Sequence, residues 1–288
     1  MRNILDTYPE FVSYWNKYSQ LSLHQKIEGW ANEYMSKWPQ LLQMQKDDYS
    51  DLPDSNWRDI AETRIFPFIT DRIGSMSKAH KNLLNEIEPI HTTASVYFCI
   101  ENLEILYVIY VGIGCGAGWV STFNESHSVL FGLEMISECQ WSDKISIQGL
   151  IAHEIGHAVH AVLRDDPGLA QFEGPFWQLY TEGFAQRCEH ILLQSDTWHQ
   201  GQGYNKAGWL SWCKANKRML AKEFLRSIDI NQDTKPFFGS WFDIQGYSQC
   251  GYYLGHEVIR DLEKRYSIKE IAVLENVQTE MRAVLETY

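Results

Sequence analysis

"IAHEIGHAVHAV", residues 151–162, carries three histidines, His153, His157 and His160. At 100° per residue all three fall within a stripe about 60° wide on one helix face. Leu150, Ile151, Ile155, Ala158, Val159 and Val162 flank that stripe. The pattern is that of a helix buried in a core with one polar stripe turned to a cleft. His153-Glu154-Ile155-Gly156-His157 reads H-E-x-x-H. Histidines four apart occupy neighbouring turns of one face, so both imidazoles reach one zinc ion. The glutamate after the first histidine sits on the flank, where it can act as general base on a water without being a ligand.

Catalytic zinc usually has three protein ligands and one open position. His160 is a poor third. It stands about 10.5 Å of helix rise beyond His153, and three side chains along one straight stripe do not make three corners of a tetrahedron. The pattern H-E-x-x-H-x-x-G-x-x-H is excluded, because His160 stands where it needs Gly and Leu163 where it needs His. His160 is therefore read as a cleft-wall or supporting residue.

A carboxylate from a second helix is the better candidate. "LYTEGFAQR" sets Glu182 among Phe176, Leu179, Tyr180, Phe184 and Ala185, with 24 residues between it and His157. Burying a carboxylate there is costly without a cation, and a metal ion answers that cost. Gly183 lets the two helices approach closely. Glu173, before the helix, and Glu189, two turns later, are the rivals.

H-E-x-x-H followed by an E-G-x-A helix resembles the gluzincin metallopeptidases, the group of thermolysin-like and oligopeptidase-like enzymes. The spacing is closer to the oligopeptidase-like members. "AGW", "SVLFGLEMI", "HEIGHAVH", "TEGFAQ" and "GYYLGHEVI" together look most like a largely uncharacterised bacterial family of predicted zinc-dependent proteases, over about residues 110–265. The resemblance implies a zincin-like fold with an active-site helix pair, zinc on His153, His157 and Glu182, and Glu154 as base. Thermolysin-like members carry an aspartate four residues after the ligand glutamate, orienting a zinc histidine. Here that residue is Gln186, whose amide accepts a hydrogen bond but brings no charge. Several gluzincins also place a Tyr or His downstream of the third ligand to hold the oxyanion. "GYSQCGYYLGHEV", 246–258, supplies Tyr252 as first choice, with Tyr247 and His256 behind it.

The rest of the chain frames this motif. With 288 residues and 44% apolar content it can build a substantial core. A net charge of −12 argues against a nucleic-acid partner and against binding to anionic lipid. "MRNILDTYPEFVSYW" has no secretory h-region, and "ILYVIYVGIG" at 105–114 is about half a membrane span, so a cytoplasmic protein is expected. Six scattered cysteines without a C-x-x-C pair read as reduced thiols.

Residues 1–92 read as a helical N-terminal region whose Trp15, Trp30, Trp38 and Trp57 pack a core, with "KDDYSDLPDSN" as a polar loop. Residues 93–288 read as the catalytic domain. Within it "ASVYFCI", "ILYVIYVGI", "GWVSTF" and "HSVLFGLEM" are expected to form a sheet of about four strands. Helices follow at about 144–164, 175–194, 206–227, 245–265 and 267–286, the first closed by "RDDPG". The glycine-rich "VGIGCGAGW" lacks the G-K-S/T of a phosphate loop and reads as a turn between strands, with 118–123 as an edge strand able to pair with an extended peptide. The class is α+β, mainly helical. The expected activity is zinc-dependent hydrolysis of a peptide or small protein. A non-catalytic zinc protein and a zinc amidohydrolase acting on a non-peptide amide are the alternatives.

Overall fold

The computed structural model describes residues 3–50, 56–164, 173–202 and 207–288. It is mainly helical with one four-stranded mixed sheet, an α+β architecture. The chain divides into two compact units: residues 1–88 with 104–147, and residues 89–103 with 148–288. Position 92, the sequence-based boundary, falls inside a continuous helix.

The first unit opens with β1 (Ile4–Asp6), then α1 (Tyr8–Tyr18), α2 (Leu23–Gly29), α3 (Pro39–Asp47), α4 (Trp57–Ile60) and the start of α5 (Ile69–Phe98). β2 (Leu106–Tyr110), β3 (Gly118–Phe123), β4 (Ser126–Gly132) and α6 (Leu133–Glu138) complete it. The strand order is β1-β2-β4-β3, parallel except for the β3–β4 hairpin. All five residues of β2 are buried, as an unbroken apolar run between two parallel neighbours requires. Asn124 and Glu125 join β3 to β4 with both φ angles positive, the backbone of a type I′ hairpin turn. β3 is an edge strand, as its sequence suggests.

Two sequence expectations are corrected here. "ASVYFCI" is not a strand: α5 runs on to Phe98. Its buried residues Met76, Ala79, Leu83, Ile87, Ile90, Ala94 and Phe98 step by three and four, so the helical stripe continues through the β-branched and aromatic segment. The fourth strand is instead β1, inside the stretch read as helical. It pairs with β2 from Ile4↔Tyr107 to Asp6↔Ile109, and the Thr7 amide and hydroxyl both donate to the Ile109 carbonyl. Three residues are too few to show a period. Residues 51–55 of the expected polar loop and 165–168 of "RDDPG" lie outside the described residues. Trp15, Trp30 and Trp57 are buried, as packing residues should be.

Glu134, at the start of α6, is fully buried and accepts the backbone N–H groups of Gly112 (2.7 Å) and Gly114 (3.2 Å). Burial pushes its carboxyl up to about 7, although those two amides and Arg72 pull the other way. Gln45 Oε1, buried without a hydrogen-bond partner, lies against the same face of Gly112, so a proton on Glu134 has an acceptor near it. A carboxyl raised in the folded state contributes stability below its unfolded pKa and loses it as pH rises through about 7. Between pH 5 and 8 the wild type should therefore lose about 2–3 kcal/mol relative to Glu134→Gln. Denaturant titrations of both proteins at the two pH values measure this. Parallel pH dependences would show that Glu134 stays ionised.

The second unit holds the end of α5, then α7 (Lys144–Leu163) from Gln148 onward, α8 (Pro175–Leu193), α9 (Trp209–Ala215), α10 (Lys217–Asp229), α11 (Cys250–Leu262), α12 (Ile268–Ala272) and α13 (Val277–Leu285). Among the described residues no helix is long and apolar enough to cross a membrane. α8 and α11 cross with their backbones in contact: a Cβ on Gly183 would overlap the Gly255 backbone, and one on Gly255 would overlap the Leu179 carbonyl. On α7, a Cβ on Gly156 would lie 2.9 Å from Ala185 Cα and 2.8 Å from Cys188 Cβ of α8. Side chains at these points would push the helices apart. Glycine thus sets how closely the three helices approach.

Candidate metal centre

α7 presents His153, Glu154 and His157, and α8 presents Glu182 across the close contact at Gly156. His153 Nε2 lies 3.1 Å from Glu182 Oε2, His157 Nε2 lies 3.3 Å from the same oxygen, and the two ring nitrogens are 3.2 Å apart. The three atoms form a nearly equilateral triangle. Both rings can donate an N–H to the one carboxylate oxygen, but the two nitrogens then crowd each other at 3.2 Å. A tetrahedral ion with ligand distances of 2.0–2.1 Å has ligand–ligand edges of about 3.3–3.4 Å. The donor set is therefore close to what one metal ion needs, and it could hold one.

The electrostatics agree with the geometry. Burial, with help from the charge of His157, holds His153 down at about 4 against the pull of Glu182, so it is a neutral imidazole. For His157 burial acts downward, but the charge and hydrogen bond of Glu182, with Glu154, outweigh it and raise the pKa. Burial alone would raise Glu182. The charge of His157 and hydrogen bonds from both histidines hold its carboxyl well below the usual range instead. The pocket is thus an anion set between two imidazoles, an arrangement that favours positive charge between them.

Glu154 is 5% exposed on the flank of the triangle's helix. Burial pushes its carboxyl up to about 8, Glu182 adds to this, and the charge of His157 opposes it. Tyr252, in the first turn of α11 and partly exposed, has its ring 5.6 Å from that of His153. Tyr247 precedes α11 rather than lying on it, and stacks at 4.3 Å on Trp212 of α9. His256 is buried against His190 and Trp198. His160 is a core residue, not a cleft wall: its ring is enclosed by Trp177, Tyr180 and Phe184, and its Nε2 bonds the Ala272 carbonyl at 3.0 Å. Arg164 donates to the same Ala272 carbonyl and to that of Leu274, and the Tyr180 hydroxyl to that of Ile271, so the three side chains together fasten the end of α12.

Of the rival carboxylates, Glu173 is exposed ahead of α8. Glu189 forms a second buried group with His153 and His199. There Glu189 Oε2 and His199 Nδ1 are 2.7 Å apart, too short an edge for two ligands of one tetrahedral ion and right for a charge-assisted hydrogen bond. Gln186 Nε2 (2.8 Å) and the His199 amide (3.2 Å) also donate to that carboxylate. Sequence reading left His199 unnoticed, because it lies outside every motif, in the segment after α8. A glutamate two turns past Glu182, on the same face of a buried helix, was the available signal for Glu189.

Comparison with protein-family models, with curated proteins and with solved structures finds no match to this chain. The fold and site define an α+β protein with a partly buried two-histidine, one-carboxylate cluster that could hold a metal ion.

Proposed function

We propose that this protein is a zinc metallopeptidase of zincin-like fold, with His153, His157 and Glu182 as the metal ligands. The observation that carries the reading is the triangle of 3.1, 3.2 and 3.3 Å between their donor atoms, with Glu154 buried on its flank. Two nitrogens and one carboxylate oxygen suit zinc and leave one coordination position for the reaction. When bound, zinc supplies Lewis acidity to the scissile carbonyl and to a water molecule.

The chain's own groups do the rest. Glu154 accepts the proton of the attacking water on its carboxylate and passes it to the leaving amine. Burial pushes its carboxyl up to about 8 in the metal-free site, and a dication beside it would draw that value down toward a range where the group both takes and releases a proton. The Tyr252 hydroxyl, carried by the first turn of α11, donates to the developing oxyanion. Glu154 also separates this reading from a purely structural zinc site, which has no use for a base.

The test is metal analysis of the purified protein together with hydrolysis of a mixed library of quenched fluorescent peptides. One zinc per chain and cleavage abolished by a chelator, then restored by zinc, is the expected result. A protein that binds no metal would overturn the assignment. One that holds zinc but cleaves no peptide would reduce it to a metal-binding protein.

A further inference from the structure

Gln186 stands where a charged partner for a zinc histidine is expected, yet its amide faces elsewhere, with Nε2 donating to Glu189. Gln186 Oε1 and His153 Nδ1 are both buried without a hydrogen-bond partner. With His153 a zinc ligand through Nε2, its other ring nitrogen carries the proton and needs an acceptor or a nearby negative charge. Glu189 supplies the charge. It is fully buried, and each of His153, Glu189 and His199 offers an atom within 4.8 Å of the others. The His153 and His199 rings meet edge to face at 5.3 Å.

The surroundings hold that carboxylate in one place. Three donors fix it: the Gln186 amide, the His199 ring and the His199 backbone. Gly149, one turn before His153 on α7, makes the room, since a Cβ there would lie 2.8 Å from both Glu189 Oε1 and His199 Cβ. Gln186, Glu189 and His199 therefore form one buried network against the His153 end of the site.

We propose that Glu189, held by His199 and Gln186, is the positioning residue and counter-charge of the metal centre, in place of a carboxylate at position 186. The charge count supports this. A dication on two neutral imidazoles and Glu182 leaves one positive charge in a buried pocket, and uncompensated buried charge is costly. Glu154 is no steady counter-charge, because in the proposed reaction it gains and loses a proton. Glu189, with three fixed donors, is held in place by groups that take no part in the proton transfer.

This inference rests on the zinc reading but has its own test. Zinc affinity is measured by chelator competition for wild type, Glu189→Gln and Glu189→Asp, with the melting temperature of each metal-free protein and the visible spectrum of each cobalt-substituted one. Glu189→Gln should weaken zinc binding ~10–100-fold and shift the cobalt bands, with Glu189→Asp recovering part of the loss and the metal-free melting temperature preserved. Wild-type zinc affinity in a folded Glu189→Gln would overturn the proposal. If that variant does not fold, Gly149→Ala is measured instead, since its methyl displaces the carboxylate without removing a charge. Weakened zinc binding would then support the role, and unchanged binding would overturn it. A wild type that binds no zinc sinks this inference with the zinc reading. Tight zinc without peptide cleavage sinks only the peptidase reading and leaves the Glu189 measurement standing.

Discussion

Glu154→Gln is expected to lower kcat/KM for peptide hydrolysis by ~10³-fold, about 4 kcal/mol of transition-state stabilisation, while zinc stays bound. The substitution keeps the shape of the side chain and removes its ability to accept a proton. Its cost to the fold should be small, for a reason visible in the metal-free site. Burial holds the Glu154 carboxyl up at about 8, so at pH 7 the side chain is already largely neutral there, and an amide imitates that state. The proposed metal ligands are untouched, because the triangle is made by His153, His157 and Glu182 alone. Rate and metal content should therefore separate: full zinc, almost no hydrolysis. Activity within tenfold of wild type would show that the base is another group. Loss of zinc along with activity would show that Glu154 supports the site rather than the proton transfer.

The parts of this site that were legible in the sequence are those with a fixed spacing. H-E-x-x-H is a local device, and the four-residue step that brings His153 and His157 together follows from helix geometry alone. Glu182 was legible for a different reason: a carboxylate inside an apolar helix needs a partner, and its burial cost identified it before any contact was known. His160 was half legible. Helix rise excluded it as a ligand, but only the packed structure shows it fastened to the Ala272 carbonyl, over 100 residues away. His199 left no trace because its role comes from a tertiary meeting with Glu189. The fold follows the same division. β2, β3 and β4 announced themselves by composition and turns. β1 did not, because three residues show no period and its pairing partner lies about 100 residues on. The "ASVYF" error arose where local β propensity competed with the register of a long buried stripe, and the stripe prevailed.

Glu182→Ala should abolish stoichiometric zinc at micromolar protein. Losing a direct ligand should weaken binding by more than the ~10–100-fold that loss of an outer-shell partner costs. The two remaining histidines cannot complete a three-ligand site, and His160 cannot replace the lost oxygen because its ring is locked in the core. The wild type carries a further signature. In the metal-free protein Glu182 raises the pKa of His157, so a metal ion competes with a proton for that ring. Zinc affinity should accordingly rise with pH until His157 is neutral, and binding at neutral pH should release protons that calorimetry in buffers of different ionisation enthalpy can count. In Glu182→Ala the cause of that raised pKa is gone. Burial then acts on His157 unopposed by its main partner and favours the neutral ring, so whatever weak binding remains should depend less on pH. Undiminished zinc in the variant would remove Glu182 from the ligand set. A pH dependence identical to wild type would show that the displaced proton comes from somewhere other than the His157–Glu182 pair.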